Sequence, residues 1–247
     1  CLEKTIHVLA TPFFDLLCTN RMACGEAAGR FMHGKHRFTI INNGIDTIRF
    51  AFNDENREEL RKKYKIADKV VIGHVGTLYD KHKNQSFVFD ILKELNKYCE
   101  NFCLVCVGEG PDKAIFMQRV NKLGLSKSVT FIGAVEDTAP YLSLFDLIVM
   151  PSNYEGLPLS LIEEQANGLH CYVSDNITKE VDKTNLVHFI SLNEGPSKWA
   201  DIIKDQHNWS ENRKTNSNNA IENIKNANYD ISIEAEKVLN CYQSFVN

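Results

Sequence analysis

The chain has 247 residues, 43% of them hydrophobic and 24% charged, with a formal net charge of −4. This length supports one large domain or two small ones, and the composition is that of an ordinary globular protein with a substantial core. The acidic balance offers nothing global to nucleic acid, and no run of about 18 uncharged apolar residues suggests a membrane span. The N-terminus lacks the charged, apolar and small-residue succession of a signal peptide, so an intracellular chain is expected. Eight cysteines do not imply disulfides at this size. Cys103 and Cys106 fall on opposite faces of an apolar strand with no second cluster after Cys99, and read as small buried residues rather than metal ligands.

Residues 1 to 36 predict helices and one strand-like stretch, without a sheet of their own. From about residue 38 to 203, apolar strands alternate with helical segments, the pattern of an α/β domain with a parallel sheet. Strands are expected at 38–42, 70–75, 102–107, 129–132, 147–150, 171–174 and 188–192. A helix after Asp54 should present Arg57 to Lys65 as a solvated charged face. Further helices are expected at 84–98, 112–123, 139–144, 158–167 and 196–204, the first turning Phe87, Ile91, Leu92 and Leu95 toward the sheet. Residues 209–228, rich in Asn, Lys, Ser and Glu, read as an exposed helix. The last segment carries a stripe of Ile233, Val238, Leu239, Tyr242 and Phe245 that needs a partner surface.

The most informative stretch runs from Pro151 to Glu163, with two carboxylates, Glu155 and Glu163, around a Gly156-Leu157-Pro158 turn. Asp146 to Met150 before it reads as a buried parallel strand, and Pro158 suits the first position of a helix that exits at Gly168. In such strand–loop–helix units ligands bind at the carboxyl ends of the strands, which puts Glu155 on the rim of a crevice. The amides of Gly156, Leu157, Leu159 and Ser160 surround the positive end of that helix, where a phosphate is stabilised without basic side chains. Glu163 could accept two hydroxyl hydrogen bonds from a ribose. The spacing alone equally allows an ordinary strand and helix with solvated glutamates. Gly108-Glu109-Gly110-Pro111 is not a dinucleotide fingerprint, because proline stands where the third glycine would be.

Pro151-Ser-x-x-Glu-Gly-Leu-Pro-Leu-x-x-x-Glu163, with Gln165-Ala-x-Gly168 and Val173-Ser-Asp175, closely resembles the donor-domain signature of the retaining glycosyltransferases of family 4. Thr39 to Asp46, Gly73-His-Val-Gly-Thr-Leu78 with Lys83-Asn84, Leu104 to Pro111 and Val129 to Gly133 resemble the family's other segments in the same order. The match covers roughly residues 16 to 195. It implies a Rossmann-like parallel sheet with flanking helices, the C-terminal half of the two-domain GT-B fold. Residues 1–36 are then a remnant of the N-terminal acceptor domain and interdomain crossing, 37–208 the nucleotide-sugar donor domain, and 209–247 C-terminal helices. The expectation is a fragment that begins where the first domain is ending and is inactive alone.

The resemblance also implies roles. Lys83 matches the lysine that neutralises the departing diphosphate, and Glu155 the glutamate that contacts the donor sugar; these two are the catalytic candidates. Glu163 matches the ribose-binding glutamate, while Gly76, Gly108 and Gly110 let loops approach the nucleotide and Gly133 and Ala134 face its base. Thr77 stands where the family carries a phosphate-binding arginine, with Lys81 as the nearest substitute, and His170 replaces a proline at a strand start. No cofactor or metal is expected, the donor being a nucleotide sugar of the UDP type. The expected acceptor is a glycan or lipid-linked sugar in polysaccharide or cell-envelope biosynthesis, in the cytoplasm or at the inner membrane face, with peripheral membrane association through the N-terminal domain. Two alternatives remain, a non-catalytic sugar-nucleotide-binding module, favoured by Thr77, and a GT-B sugar-nucleotide epimerase.

Overall fold

A computed structural model describes residues 17–98, 101–205 and 211–246; Cys99 and the first 16 residues lie outside this range. Contacts divide the described chain into two units, one reaching Asp46 and resuming at Asn228, the other spanning Thr47–Ala227. These boundaries differ from the expected 36/37 and 208/209.

In the smaller unit, β1 (Met22–Ala23) pairs in parallel with β2 (Thr39–Ile40) across α1 (Glu26–His33). The strand expected at 38–42 therefore contracts to two residues, with only a two-residue partner to pair against.

The larger unit holds a six-stranded parallel sheet in the order β5-β4-β3-β6-β7-β8. Its elements in sequence are α2 (Asp54–Tyr64), β3 (Val70–Val75), the one-turn α3 (Asp80–Lys83), α4 (Gln85–Tyr98), β4 (Phe102–Val107) and α5 (Lys113–Lys122). Next come β5 (Val129–Gly133), α6 (Ala139–Leu144), β6 (Leu147–Met150), α7 (Leu159–Ala166), β7 (His170–Ser174), β8 (Val187–Ile190), α8 (Gly195–Asp205) and α9 (Arg213–Asn226). α10 (Ile231–Val246) returns to the smaller unit, where Asn42 N–H donates to Glu234 at 2.7 Å.

Strands β4 and β6 are buried at every residue, as expected for Val/Ile/Leu/Cys-rich strands covered on both faces. One core joins Ile72, Leu104, Cys106, Leu147, Val149 and Tyr172 of the sheet to Phe89, Leu92, Phe116 and Trp199 of the helices. Ile91, Leu92 and Leu95 of α4 are fully buried, as their spacing predicts, and Cys103 and Cys106 are buried free thiols. The helix expected at 84–98 runs from Gln85 to Tyr98; Asn84 adopts the left-handed conformation (φ 53°) and separates it from the one-turn α3, which the sequence did not suggest. Asparagine tolerates that region better than most side chains.

Two expectations about charged helices hold on one face only: Glu58, Glu59, Lys62 and Lys63 are exposed as expected. Arg57 and Arg61, one turn apart on α2, are not solvated: both reach Asp146, with the Nη2–Oδ distances 2.5 Å. Helical spacing alone does not reveal a carboxylate waiting across the fold. Likewise α9 is exposed on one face only. It packs on α7 and buries Arg213, Ser217, Ala220 and Ile224. The Ser217 hydroxyl donates to the Ala166 carbonyl and accepts from Phe52 N–H, while Arg213 donates to the carbonyls of Phe145 and Asn167. A polar composition can therefore sit inside when backbone groups meet it.

Candidate functional site

Strand order reverses at the β3–β6 junction, with β4 and β5 on one side and β7 and β8 on the other. The carboxyl ends of β3 and β6 thus open a crevice, the place where sheets of this kind hold ligands. The loop after β3 supplies Gly76, Thr77 and, on α3, Lys83; the loop after β6 supplies Ser152, Glu155 and Gly156. They are fastened to each other. Asn84 Nδ2 donates to the Pro151 carbonyl (3.1 Å), Asn153 N–H to the His82 carbonyl (2.9 Å), and Asn153 Nδ2 to the Lys81 carbonyl (3.1 Å).

Across this junction Lys83 Nζ lies 2.7 Å from Glu155 Oε1, with both side chains largely buried. Ser152 Oγ donates to the same Glu155 oxygen at 2.9 Å. Gly76 lies beneath Lys83, since a Cβ built there would fall 3.8 Å from Nζ. The crevice continues into a cavity of about 220 Å³ lined by Val75, Gly76, Thr77, Val107, Gly108, Glu109, Ala134, Val135 and Thr138. Gly108 is indispensable to its floor: with φ 135°, its Cβ would fall 2.1 Å from the Gly76 carbonyl oxygen.

The candidates group as follows. Gly76, Thr77, Gly108 and Ala134 line the cavity, and Gly133 closes β5 behind it, its carbonyl accepting from Gly108 N–H at 2.8 Å. Gly110 makes a different contact, its Cα passing against the Leu78 backbone, where a Cβ would meet the carbonyl oxygen at 2.2 Å. Pro158 is the residue before the helix rather than its first, because its ψ of 106° is extended, so α7 begins at Leu159 and Ser160. Its first-turn amides point toward the loop holding Gly156 and Leu157. Glu163, one turn in, is half-buried; burial pushes its carboxyl up and Arg49 pulls it back. It does not line the cavity. Lys81 is exposed, and His170 begins β7 as expected, half-buried and 3.0 Å from His188.

Several neighbours were not singled out from the sequence. Arg49 stands near Glu163 while bonded to Asp137 at 2.8 Å. His74 is fully buried, and desolvation lowers it to about 4, so it is neutral. Its Nε2 meets Gln85 Nε2 at 3.1 Å, and the same amide donates to the Thr77 carbonyl at 2.8 Å, which fixes the backbone of the β3 loop. Glu164 is fully buried, and neither carboxylate oxygen has a hydrogen-bond partner. Burial, followed by the neighbouring Glu163, pushes it well above the ordinary carboxylate range. Ser152 and His74 carried a sequence signal, as the serine of the Pro-Ser-x-x-Glu motif and the histidine of Gly73-His-Val-Gly-Thr-Leu78.

The parallel sheet, its switch point and the loops around it are those of the C-terminal half of a GT-B fold. Residues 69–206 match the family described as glycosyl transferases group 1, and the chain belongs to that family. It is 39% identical over 188 residues to EpsF of Bacillus subtilis, which bears a provisional glycosyltransferase name, covering 73% of this chain and 49% of that protein. It is 27% identical over 173 residues to an Escherichia coli UDP-Gal:alpha-D-GlcNAc-diphosphoundecaprenol alpha-1,3-galactosyltransferase, covering 66% and 44%. Among solved structures, Anabaena Alr3699/HepE in complex with UDP superposes with a TM-score of 0.79 at 19% identity, over 98% of this chain and 68% of that one. The chain spans about half the length of the curated relatives it matches. Among the described residues, no helix is long and apolar enough to cross a membrane.

Proposed function

We propose that this chain is the donor-binding half of a retaining glycosyltransferase that takes a sugar from a nucleotide diphosphate, of the UDP type, to a glycan or lipid-linked acceptor. The observation that carries the reading is the Lys83–Glu155 pair across the β3–β6 junction, between the cavity after β3 and a helix N-terminus. The cavity beside Ala134 takes the base, and Glu163 takes the ribose hydroxyls. The diphosphate meets the Lys83 ammonium and the first amides of α7, both aimed at negative charge. Glu155 takes the donor sugar. This arrangement needs no metal, because the charge that develops on the leaving diphosphate is met by an ammonium and backbone dipoles.

The relatives support polysaccharide or cell-envelope glycan biosynthesis as the setting, with a cytoplasmic donor site and an acceptor presented at the membrane. Thr77 favours a second reading. It offers the diphosphate a hydroxyl where a guanidinium would grip two oxygens at once, which suits a module that binds the sugar nucleotide without transferring it. Calorimetry with UDP, GDP and ADP, with and without EDTA, tests the binding claim. UDP should bind equally well in both conditions; loss of binding on chelation would reject the metal-free site, and absence of any nucleotide binding would reject the reading as a whole.

A further inference from the structure

Glu155 makes two contacts through one oxygen. Oε1 accepts a hydrogen bond from the Ser152 hydroxyl at 2.9 Å and forms an ion pair with the Lys83 ammonium at 2.7 Å. A carboxylate held through one oxygen by a hydroxyl and an ammonium is restrained about its last side-chain bond, which leaves the other oxygen, Oε2, for a ligand. Ser152 is itself immobile. It is fully buried, and its carbonyl accepts from the equally buried Ser174 hydroxyl at 2.5 Å. Its neighbours Pro151 and Asn153 are fastened to Asn84, His82 and Lys81 on the opposite side of the junction. The hydroxyl that reaches Glu155 is thus anchored to β7 and to the loop after β3.

Resting on the donor-site reading above, we propose that Ser152 is a positioning residue for sugar recognition: its hydroxyl, together with Lys83, fixes Glu155 Oε1 so that Oε2 is presented to a hydroxyl of the donor sugar. A pre-set acceptor needs no reorganisation when the sugar arrives, and its loss is felt by ligands that carry a sugar. The nucleoside diphosphate alone makes no use of Oε2. Its contacts to Lys83, the α7 amides and Glu163 survive the change.

The test is a double-mutant cycle with Ser152→Ala and Glu155→Gln, read by calorimetry with UDP and UDP-glucose, and with thermal melts as the folding control. Ser152→Ala should weaken UDP-glucose about 10-fold, the scale of one hydrogen bond to a charged group, while UDP changes less than about 2-fold. In the Glu155→Gln background the same substitution should have no further effect on UDP-glucose, which a merely structural role would not produce. Ser152→Thr, which keeps the hydroxyl, should restore the ratio of the two affinities if it melts like the parent. Equal losses for both ligands, or additive losses in the double variant, would overturn the positioning role and leave the donor-site reading standing. A parent chain that binds neither ligand would overturn both.

Discussion

Strands β3 and β6 carry a cluster of charge at each end, and the two clusters are built to opposite rules. At the amino ends, Asp146 is almost wholly buried and fully answered. Arg57 meets Oδ1, and Arg61 and the Val71 N–H meet Oδ2, the last at 2.7 Å. Arg57 also donates to the carbonyls of Ser143 and Phe145. At the carboxyl ends, Glu155 spends one oxygen on Ser152 and Lys83 beside an open cavity and a helix terminus. A saturated polar cluster has nothing left to offer a ligand and serves the fold. A cluster that keeps directed groups in reserve serves binding.

The largest effect should come from breaking the saturated end. Asp146→Ala leaves two arginines without their carboxylate in a nearly dry site and should cost about 3–5 kcal/mol in urea denaturation. Nucleotide affinity, measured below the new melting temperature, should stay within about 2-fold of the parent. A selective loss of affinity at unchanged stability would erase the distinction between the two ends.

Acid should act on the interior between them. His74 is neutral when folded because burial lowers it from 6.5 to about 4. The unfolded chain binds the extra proton in that interval, so the stability His74 contributes is complete above about pH 6.5 and is lost as pH falls toward about 4. The loss amounts to roughly 3 kcal/mol and should shrink in His74→Gln, which cannot take up the proton. Urea titrations at about pH 7 and pH 4.5 measure it. An identical acid loss in the variant would assign it to other groups.

At the open end effects should fall on ligands rather than on the fold. Glu163→Gln removes charge-assisted hydrogen bonds to the ribose worth about 1.5–3 kcal/mol, or roughly 10- to 100-fold in UDP affinity, with little change in melting temperature. Glu155→Gln should be smaller and more selective, lowering UDP-glucose affinity about 10-fold and barely touching UDP. Calorimetry on both variants with both ligands separates the roles, and matching losses across all four titrations would mean that they are misassigned.

How much of this was legible in the sequence follows the physics of each part. The strands at 70–75, 102–107 and 147–150 and the helix at 139–144 agree with the structure residue for residue, because continuous apolar runs bounded by Pro, Gly and charge admit few alternatives. Ends set by backbone conformation were harder to read, as with the one-turn helix closed by Asn84 and the start of α7 after Pro158. The motif residues Lys83 and Glu155 do come together across the sheet. Arg57 and Arg61 were misread as solvated and Arg213 was not singled out, because the Asp146 and Asn167 side chains that meet them are 46 to 89 positions away, far beyond any local pattern. The Asn-rich composition of α9 concealed a buried face for the same reason: backbone carbonyls of distant segments satisfy it.

Glu164 has a consequence for how folding itself is measured. The closed protein surrounds a carboxyl that has no hydrogen-bond partner and is held well above the ordinary range by burial. In the open chain, at a pH well above its ordinary value of 4.5, the same group has released its proton. Closure therefore draws one hydrogen ion from the solvent. The buffer supplies it, and its heat of ionisation enters the calorimetric enthalpy. Unfolding enthalpies recorded at about pH 6 should accordingly differ between a carboxylate buffer and an amine buffer of high ionisation heat, and Glu164→Gln should remove that contribution to the difference.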